Sequence, residues 1–220
     1  MRIISWDIGI KNLAYCILVD NKIEKWNTIS LISEDEKVKK ISLNTLTERL
    51  LKEIISNEDL FNIDYVLLEN QPCLKNPIMK SLQIIIYTLY YLDKLKRKRI
   101  NEILLINACN KLKVYKGPVI NLDVKSSYQK RKKLSVIHTQ YFLKELGQEE
   151  ILKNINKKKI DDLCDTYLQG LYFYNKMLED MQIKNKNTNK SNAKKAVEIF
   201  IEDIEIINNE EDEEQLDEDN

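Results

Sequence analysis

The chain has 220 residues, 43% of them hydrophobic and 32% charged, and its 35 basic and 35 acidic residues cancel to a net charge of zero. This length and composition predict a globular domain with a substantial core. We expect no membrane segment, because no apolar run approaches the ~20 residues of a membrane-spanning helix, and no signal peptide at the N-terminus. These features favour a soluble cytoplasmic protein.

The first part of the chain predicts an antiparallel meander followed by a helix. Three apolar, β-rich runs cover Arg2–Trp6, Leu13–Val19 and Ile23–Leu31, and the Asp-Asn pair at 20–21 is typical of a hairpin turn. Apolar residues at helical spacing then predict a helix over Lys37–Ser56.

The middle of the chain alternates between strand and helix. The β-branched run Ile63–Leu68 predicts a strand that is covered on both faces. A helix is predicted from Pro77 to about Arg99, because proline is tolerated in a first helical turn. Ile103–Ala108 predicts a fifth strand.

An irregular, basic segment is predicted over Lys111–Lys133, with a turn at Gly117-Pro118, before a helix over Leu134–Leu146. A last long helix is predicted to start near Asp161. This order, βββαβαβα, is typical of an α/β protein with helices packed on a mixed five-stranded sheet.

The end of the chain differs in charge from the rest. Residues 208–220 include eight acidic and no basic residues, which leaves a net charge of about +8 in residues 1–207. Such asymmetry is typical of nucleic-acid-associated proteins, and a solubilising tail explains it equally well. We predict one domain over 1–185, an unassigned extension over 186–207 and an acidic disordered tail over 208–220.

Cysteine and histidine usage narrows the possible chemistry. The four cysteines are scattered and predict reduced thiols of a cytosolic protein: Cys16, Cys73, Cys109 and Cys164. The single histidine, His138, falls within a predicted helix, so a Cys/His zinc site or a histidine-dependent nucleophile is disfavoured. Carboxylates and lysines remain as catalytic groups.

Carboxylates stand where three predicted elements end or begin. Asp7 closes the first strand, Glu69 closes the fourth, and the last helix begins with Asp161, Asp162 and Asp165. Residues three or four apart share a helix face, so Asp165 can pair with either of the other two. If the first and fourth strands are parallel neighbours, these side chains form a cluster of three or four carboxylates.

Such a cluster costs free energy because like charges repel, and a hard cation removes that cost. Mg²⁺ takes oxygen ligands, and two ions about 3.5–4 Å apart can activate water and stabilise the leaving oxygen of a phosphodiester. Each carboxylate alone is also explained as a turn residue, a strand-end charge or a helix N-terminal charge. Their coincidence favours metal-dependent phosphodiester hydrolysis.

Four stretches carry a family resemblance: SWDIGIKNLA at 5–14, ENQP at 69–72, YQKRKKLS at 128–135 and KKIDDLCDTYLQ at 158–169. In this order they resemble the motifs of RuvC-like Holliday junction resolvases, especially the poxvirus and mitochondrial branches. The resemblance covers about Met1 to Met181. It implies a ribonuclease H-like fold and a viral homodimer that nicks opposed strands of a four-way DNA junction with Mg²⁺ or Mn²⁺.

By position, the resemblance assigns Asp7, Glu69 and Asp165 as metal ligands and catalytic residues. The fourth ligand is Asp161 or Asp162, and the three-residue spacing to Asp165 favours Asp162. Relatives often run lysine straight into aspartate, whereas Ile160 intervenes here.

Basic residues supply candidates for contact with DNA. A lysine in such a site can neutralise charge on the scissile phosphate, and Lys132 and Lys133 are the first candidates. Phosphate contact without a catalytic role explains both equally well. The predicted nucleic-acid-binding set is Lys80, Lys130, Arg131, Lys132 and Lys133.

Three other functions share part of this pattern. A ribonuclease H-like nuclease on hybrid or flapped substrates would need the same carboxylates, and a catalytically silent junction-binding protein would not need them. An actin-like ATPase also begins with a strand and Asp-x-Gly. Its glycine-rich phosphate loops are difficult to build from a chain with four glycines.

Overall fold

The structure is a computed structural model that describes residues 1–124, 126–153, 155 and 160–184. Met1–Asn175 form one compact unit, and a second unit begins at Lys176, of which residues 176–184 are described and helical. The predicted extension over 186–207 and the acidic tail lie outside the described residues. No helix in the described ranges is long and apolar enough to cross a membrane.

The described chain contains a mixed five-stranded sheet. Its strands are β1 (Arg2–Asp7), β2 (Leu13–Val19), β3 (Lys22–Ile29), β4 (Tyr65–Glu69) and β5 (Glu102–Ile106), in the spatial order β3-β2-β1-β4-β5. β1, β2 and β3 pair antiparallel, whereas β4 pairs parallel to both β1 and β5. The predicted meander and fold class are confirmed, and Asp20 takes the left-handed φ of 56° in the hairpin turn.

In the described part of the chain, five α-helices accompany the sheet: α1 (Leu43–Ile55), α2 (Pro77–Arg97), α3 (Ser127–Glu145), the short α4 (Glu150–Lys153) and α5 (residues 160–184). The predicted start of the first helix at Lys37 is wrong. Ser42 caps α1 by accepting a hydrogen bond from the Thr45 N–H at 3.1 Å, and Val38–Lys40 form a separate 3₁₀ turn.

The prediction that the basic segment is irregular up to Lys133 is also wrong. α3 begins at Ser127, about two turns before the predicted start at Leu134, so Lys130, Lys132 and Lys133 are helical. Lysine, arginine and glutamine are good helix formers. Apolar periodicity missed these turns because Lys130, Arg131 and Lys133 are exposed.

Helices cover both faces of the sheet. On one face, side chains of β1 and β4 pack with α1 and α2, and the buried Trp6 indole donates to the Tyr90 hydroxyl at 3.2 Å. On the other face, the Gln169 amide of α5 donates to the Ser5 hydroxyl of β1 at 3.0 Å. At Gly170 a Cβ would lie 2.5 Å from Leu18 Cδ1. This close packing holds the first turns of α5 beside β1.

Candidate active site

Asp7 and Glu69 stand at neighbouring carboxyl ends of parallel strands. Trp6 and Leu68 are the last residues paired between β1 and β4, so the two acidic residues follow at the same edge of the sheet. Just beyond, a Cβ at Gly9 would lie 2.4 Å from the carbonyl oxygen of Asn12, a backbone approach that only glycine permits. The first and fourth strands are thus parallel neighbours, the condition under which the sequence predicted a carboxylate cluster.

Asp162 and Asp165 approach the same edge from α5. They are three residues apart and so share a helix face, and both line a cavity of about 600 Å³ together with Asp7 and Glu69. Asp161 lies differently. Its carboxylate forms an ion pair with Lys132 and lines a neighbouring, mostly apolar cavity.

Lys111 lies between the carboxylates. Its ammonium is 2.9 Å from Glu69 Oε2 and 2.5 Å from Asp165 Oδ2, and its side chain is only 14% exposed. It belongs to a 3₁₀ helix, Ala108–Val114, that follows β5. A cation that is buried with its partners compensates charges that would otherwise be costly in this place.

The pKa values of the cluster follow from burial and mutual repulsion. Burial raises the pKa of Asp7 well above its usual range, and the charges of Glu69, Asp165 and Asp162 raise it further, against the opposing effect of Lys111. Burial also raises the pKa of Asp162. Burial lowers the pKa of Lys111, but the carboxylates outweigh it and the net pKa is raised. The cluster therefore favours bound positive charge.

α3 supplies a basic and aromatic rim. Tyr128, Arg131 and Lys132 line the same cavity as the carboxylates. The Lys132 ammonium lies 5.2 Å from the centre of the Tyr128 ring and pairs with Asp161. Burial lowers the pKa of Lys132, but hydrogen bonds to Asp161 and Tyr128 and the charges of the two aspartates at 161 and 162 together raise it above its usual value. A protonated lysine beside an exposed aromatic ring is suited to contact a nucleic-acid backbone and its bases.

The remaining predicted DNA contacts are spread over two surfaces. Lys130 and Lys133 are exposed on α3, and Lys133 lines the apolar cavity beside Lys132. Lys80 donates to the Asn70 amide oxygen at 2.9 Å and to Gln83 Oε1 at 3.3 Å. It therefore braces the segment after β4 against α2, and its contact with DNA stays a prediction.

The donor set fits a hard divalent cation. Four carboxylates offer only oxygen ligands, which Mg²⁺ and Mn²⁺ prefer, and two of them already pair with the Lys111 ammonium. Within the described ranges, no three acidic, histidine or cysteine side chains are arranged around a common metal position. Two of the carboxylates turn towards Lys111 instead.

Two residues of this site were missed by sequence reasoning. Lys111 follows the carboxyl end of β5, which is parallel to β4, so strand order alone places it near the carboxylates. Ser135 is the last residue of the basic segment 128–135, and its hydroxyl donates to Asp165 Oδ1 at 2.5 Å. No sequence spacing predicts this contact, because its two residues are 30 positions apart and lie on different helices.

The topology and the strand-end carboxylates define the class of fold as ribonuclease H-like. The family model described as Poxvirus A22 protein matches residues 1–177, and the chain belongs to that family. An uncharacterized protein of Acanthamoeba polyphaga mimivirus is 34% identical over 149 residues, which are 62% of this chain and 35% of that protein. The chain thus spans about a third of the length of this relative.

Solved structures share the fold at low sequence identity. The crystal structure of the yeast mitochondrial Holliday junction resolvase Ydc2 has a TM-score of 0.50 and 20% identity, covering 79% of this chain and 78% of that one. Fowlpox virus resolvase in complex with substrate Holliday junction DNA has a TM-score of 0.50 and 22% identity, covering 81% and 99%. Thermus thermophilus RuvC with a Holliday junction substrate has a TM-score of 0.51 and 10% identity, covering 80% and 96%.

Proposed function

We propose that the chain is a metal-dependent endonuclease that resolves four-way DNA junctions. The observation that carries this proposal is the convergence of four carboxylates on one cavity, with Lys111 among them and the basic face of α3 at its rim. Membership of the Poxvirus A22 protein family supports it. So does the likeness in fold to proteins described as Holliday junction resolvases.

Asp7, Glu69, Asp162 and Asp165 would hold Mg²⁺ or Mn²⁺, with two ions in each site. When bound, such ions activate a water molecule and stabilise the leaving oxygen of the phosphodiester. Before such ions bind, the Lys111 ammonium partly balances the negative charge of the carboxylates. Arg131 and Lys132 contact the DNA phosphates, which provides affinity that falls as salt rises.

We also propose that two copies of the chain act together. A four-way junction presents two opposed strands, and a two-fold dimer matches that symmetry. The apolar surface of α2 supports an interface there, since several of its large apolar side chains are exposed: Ile84, Tyr91, Leu92 and Leu95. Leu95 is 62% exposed. Replacing Leu95 with Glu should shift the species measured by light scattering from dimer to monomer.

The substrate class is tested by cleavage of end-labelled DNA. Wild-type protein is incubated with a four-way junction, a flap, an RNA–DNA hybrid and a linear duplex, each with Mg²⁺ or with EDTA. We expect paired nicks on opposed strands of the junction in Mg²⁺ only, and none with Glu69→Gln. Preferred cleavage of the hybrid or the flap would favour another ribonuclease H-like nuclease, and junction binding without any cleavage would favour a silent binding protein.

A further inference from the structure

α3 and α5 meet through two polar pairs that match in spacing. Lys132 and Ser135 are three residues apart on α3, and their partners Asp161 and Asp165 are four residues apart on α5. Each pair of positions therefore lies on one helix face. The Lys132 pair is at the rim, where the lysine side chain is 39% exposed, whereas Ser135 is 1% exposed.

The two oxygens of Asp165 have different partners. Oδ1 accepts a hydrogen bond from the Ser135 hydroxyl at 2.5 Å, and Oδ2 contacts the Lys111 ammonium at 2.5 Å. The carboxylate torsion of aspartate has a broad, roughly two-fold preference, so the side chain alone does not determine which way its oxygens point. The Ser135 hydroxyl restricts this torsion by binding Oδ1, and Lys111 contacts Oδ2, the oxygen that faces the cavity.

We propose that Ser135 is a positioning residue that orients Asp165 for metal binding. By holding Oδ1, the Ser135 hydroxyl presents Oδ2 to the cavity where Asp7 and Glu69 also stand. Ser135 is not among the residues that line this cavity, so it acts through Asp165 and not on DNA or metal directly. This inference rests on the metal site of the proposed function.

A purely structural role for Ser135 makes a different prediction, and α3 offers a matched control. Thr139 is one turn further along the same helix and is fully buried, and its hydroxyl makes no hydrogen bond to a carboxylate among the described residues. Loss of either hydroxyl removes one buried polar group from α3. Only the loss at Ser135 releases a carboxylate of the site.

The test measures Mn²⁺ affinity without DNA, by the loss of the free-ion signal in electron paramagnetic resonance. The chains compared are wild type, Ser135→Ala, Ser135→Cys, Ser135→Thr, Thr139→Val and Asp165→Asn. Partners that orient a metal ligand typically contribute about 10- to 100-fold to metal affinity. We therefore expect Ser135→Ala and Ser135→Cys to weaken Mn²⁺ binding by about 10-fold or more, with Ser135→Thr and Thr139→Val close to wild type.

Junction cleavage provides a second readout. The metal concentration that gives half-maximal cleavage should rise for Ser135→Ala, and the maximal rate should recover at high Mn²⁺. Circular dichroism establishes that each variant is folded, and Ser135→Cys, which preserves the side-chain volume, carries the test if Ser135→Ala unfolds.

Two results would overturn the inference and are distinguishable. Equal Mn²⁺ affinity in wild type, Ser135→Ala and Ser135→Cys would overturn the positioning role alone. Equal Mn²⁺ binding by wild type and Asp165→Asn would overturn the proposed metal site, and the role of Ser135 with it.

Discussion

Lys111 pairs with two carboxylates that line the candidate active site, whereas Lys132 pairs with a carboxylate beside it. Lys111 is 14% exposed and contacts two carboxylates that come from β4 and α5. Lys132 is 39% exposed and pairs with Asp161 alone. A buried cation among several carboxylates is required by the charge balance of the site, whereas a half-exposed pair contributes little to stability. The same type of ion pair therefore lies at the centre of the site in one place and at its exposed rim in the other.

The largest effect should come from the carboxylates around Lys111. Asp7→Asn, Glu69→Gln and Asp165→Asn should each reduce junction cleavage by about 1,000-fold, because each removes one of the proposed ligands of the catalytic metal. Junction binding should stay largely intact, since affinity comes mainly from lysine and arginine contacts to phosphates. Cleavage and gel-shift assays measure the two quantities. Asp35→Asn, at an exposed position, is the control, and near-normal cleavage by any of the three variants would contradict the site.

Replacement of Lys111 should lower the stability of the protein more than replacement of Lys132. Lys111→Met leaves buried carboxylates without their cation and should lower the free energy of unfolding by about 3 kcal/mol in EDTA. Lys132→Met should lower it by less than about 1 kcal/mol. Urea unfolding measures both, and added Mg²⁺ should reduce the deficit of Lys111→Met. Equal losses for the two variants would show that burial does not distinguish these pairs.

A smaller effect should distinguish the two adjacent aspartates of α5. Asp162 lines the cavity with the other carboxylates, whereas Asp161 is engaged by Lys132. Asp162→Asn should therefore reduce cleavage at least about 10-fold more than Asp161→Asn, as loss of a metal ligand exceeds loss of a rim contact. Single-turnover cleavage rates at fixed Mg²⁺ make the comparison. The reverse order would identify Asp161 as the fourth ligand.

The smallest effect concerns stability and pH. The pKa of Asp7 is raised in the folded protein by burial and by its acidic neighbours, so the folded state holds a proton that the unfolded chain has lost. That contribution is complete below the usual pKa of 3.8 and is lost as pH rises through the raised pKa. Asn cannot ionise, so Asp7→Asn in EDTA should melt a few degrees higher at pH 7.5, on the order of 2–4 °C for about 1 kcal/mol.

That gain should be nearly lost at pH 3.5, where the Asp7 carboxyl of the folded protein is protonated and that of the unfolded chain is mostly protonated. Thermal melts across this pH range measure it, with Asp35→Asn expected to follow wild type throughout. A constant difference between Asp7→Asn and wild type at all pH values would show that packing, not charge, is responsible.

The sequence by itself determined the order of strands and helices, because hydrophobic periodicity reports which faces are buried. It placed β2 at Leu13–Val19, as observed, and it located Asp7 and Glu69 at strand ends, where apolar runs stop. It could not find the first turns of α3, since exposed lysines on a helix have no apolar period. Helical periodicity also left Asp161 and Asp162 as alternatives, because either can share a face with Asp165, and only the spacing in the family resemblance favoured Asp162.

Only the tertiary structure decided which charges meet. Lys111 is 42 residues from Glu69 and 54 from Asp165, and the parallel pairing of β4 with β5 brings it to them. The contact of Ser135 with Asp165 and the ion pair of Lys132 with Asp161 depend on how α3 packs along α5. Such contacts join residues that are distant in sequence. The hydrophobic pattern of one segment predicts which of its faces is buried, but not which other segment packs against that face.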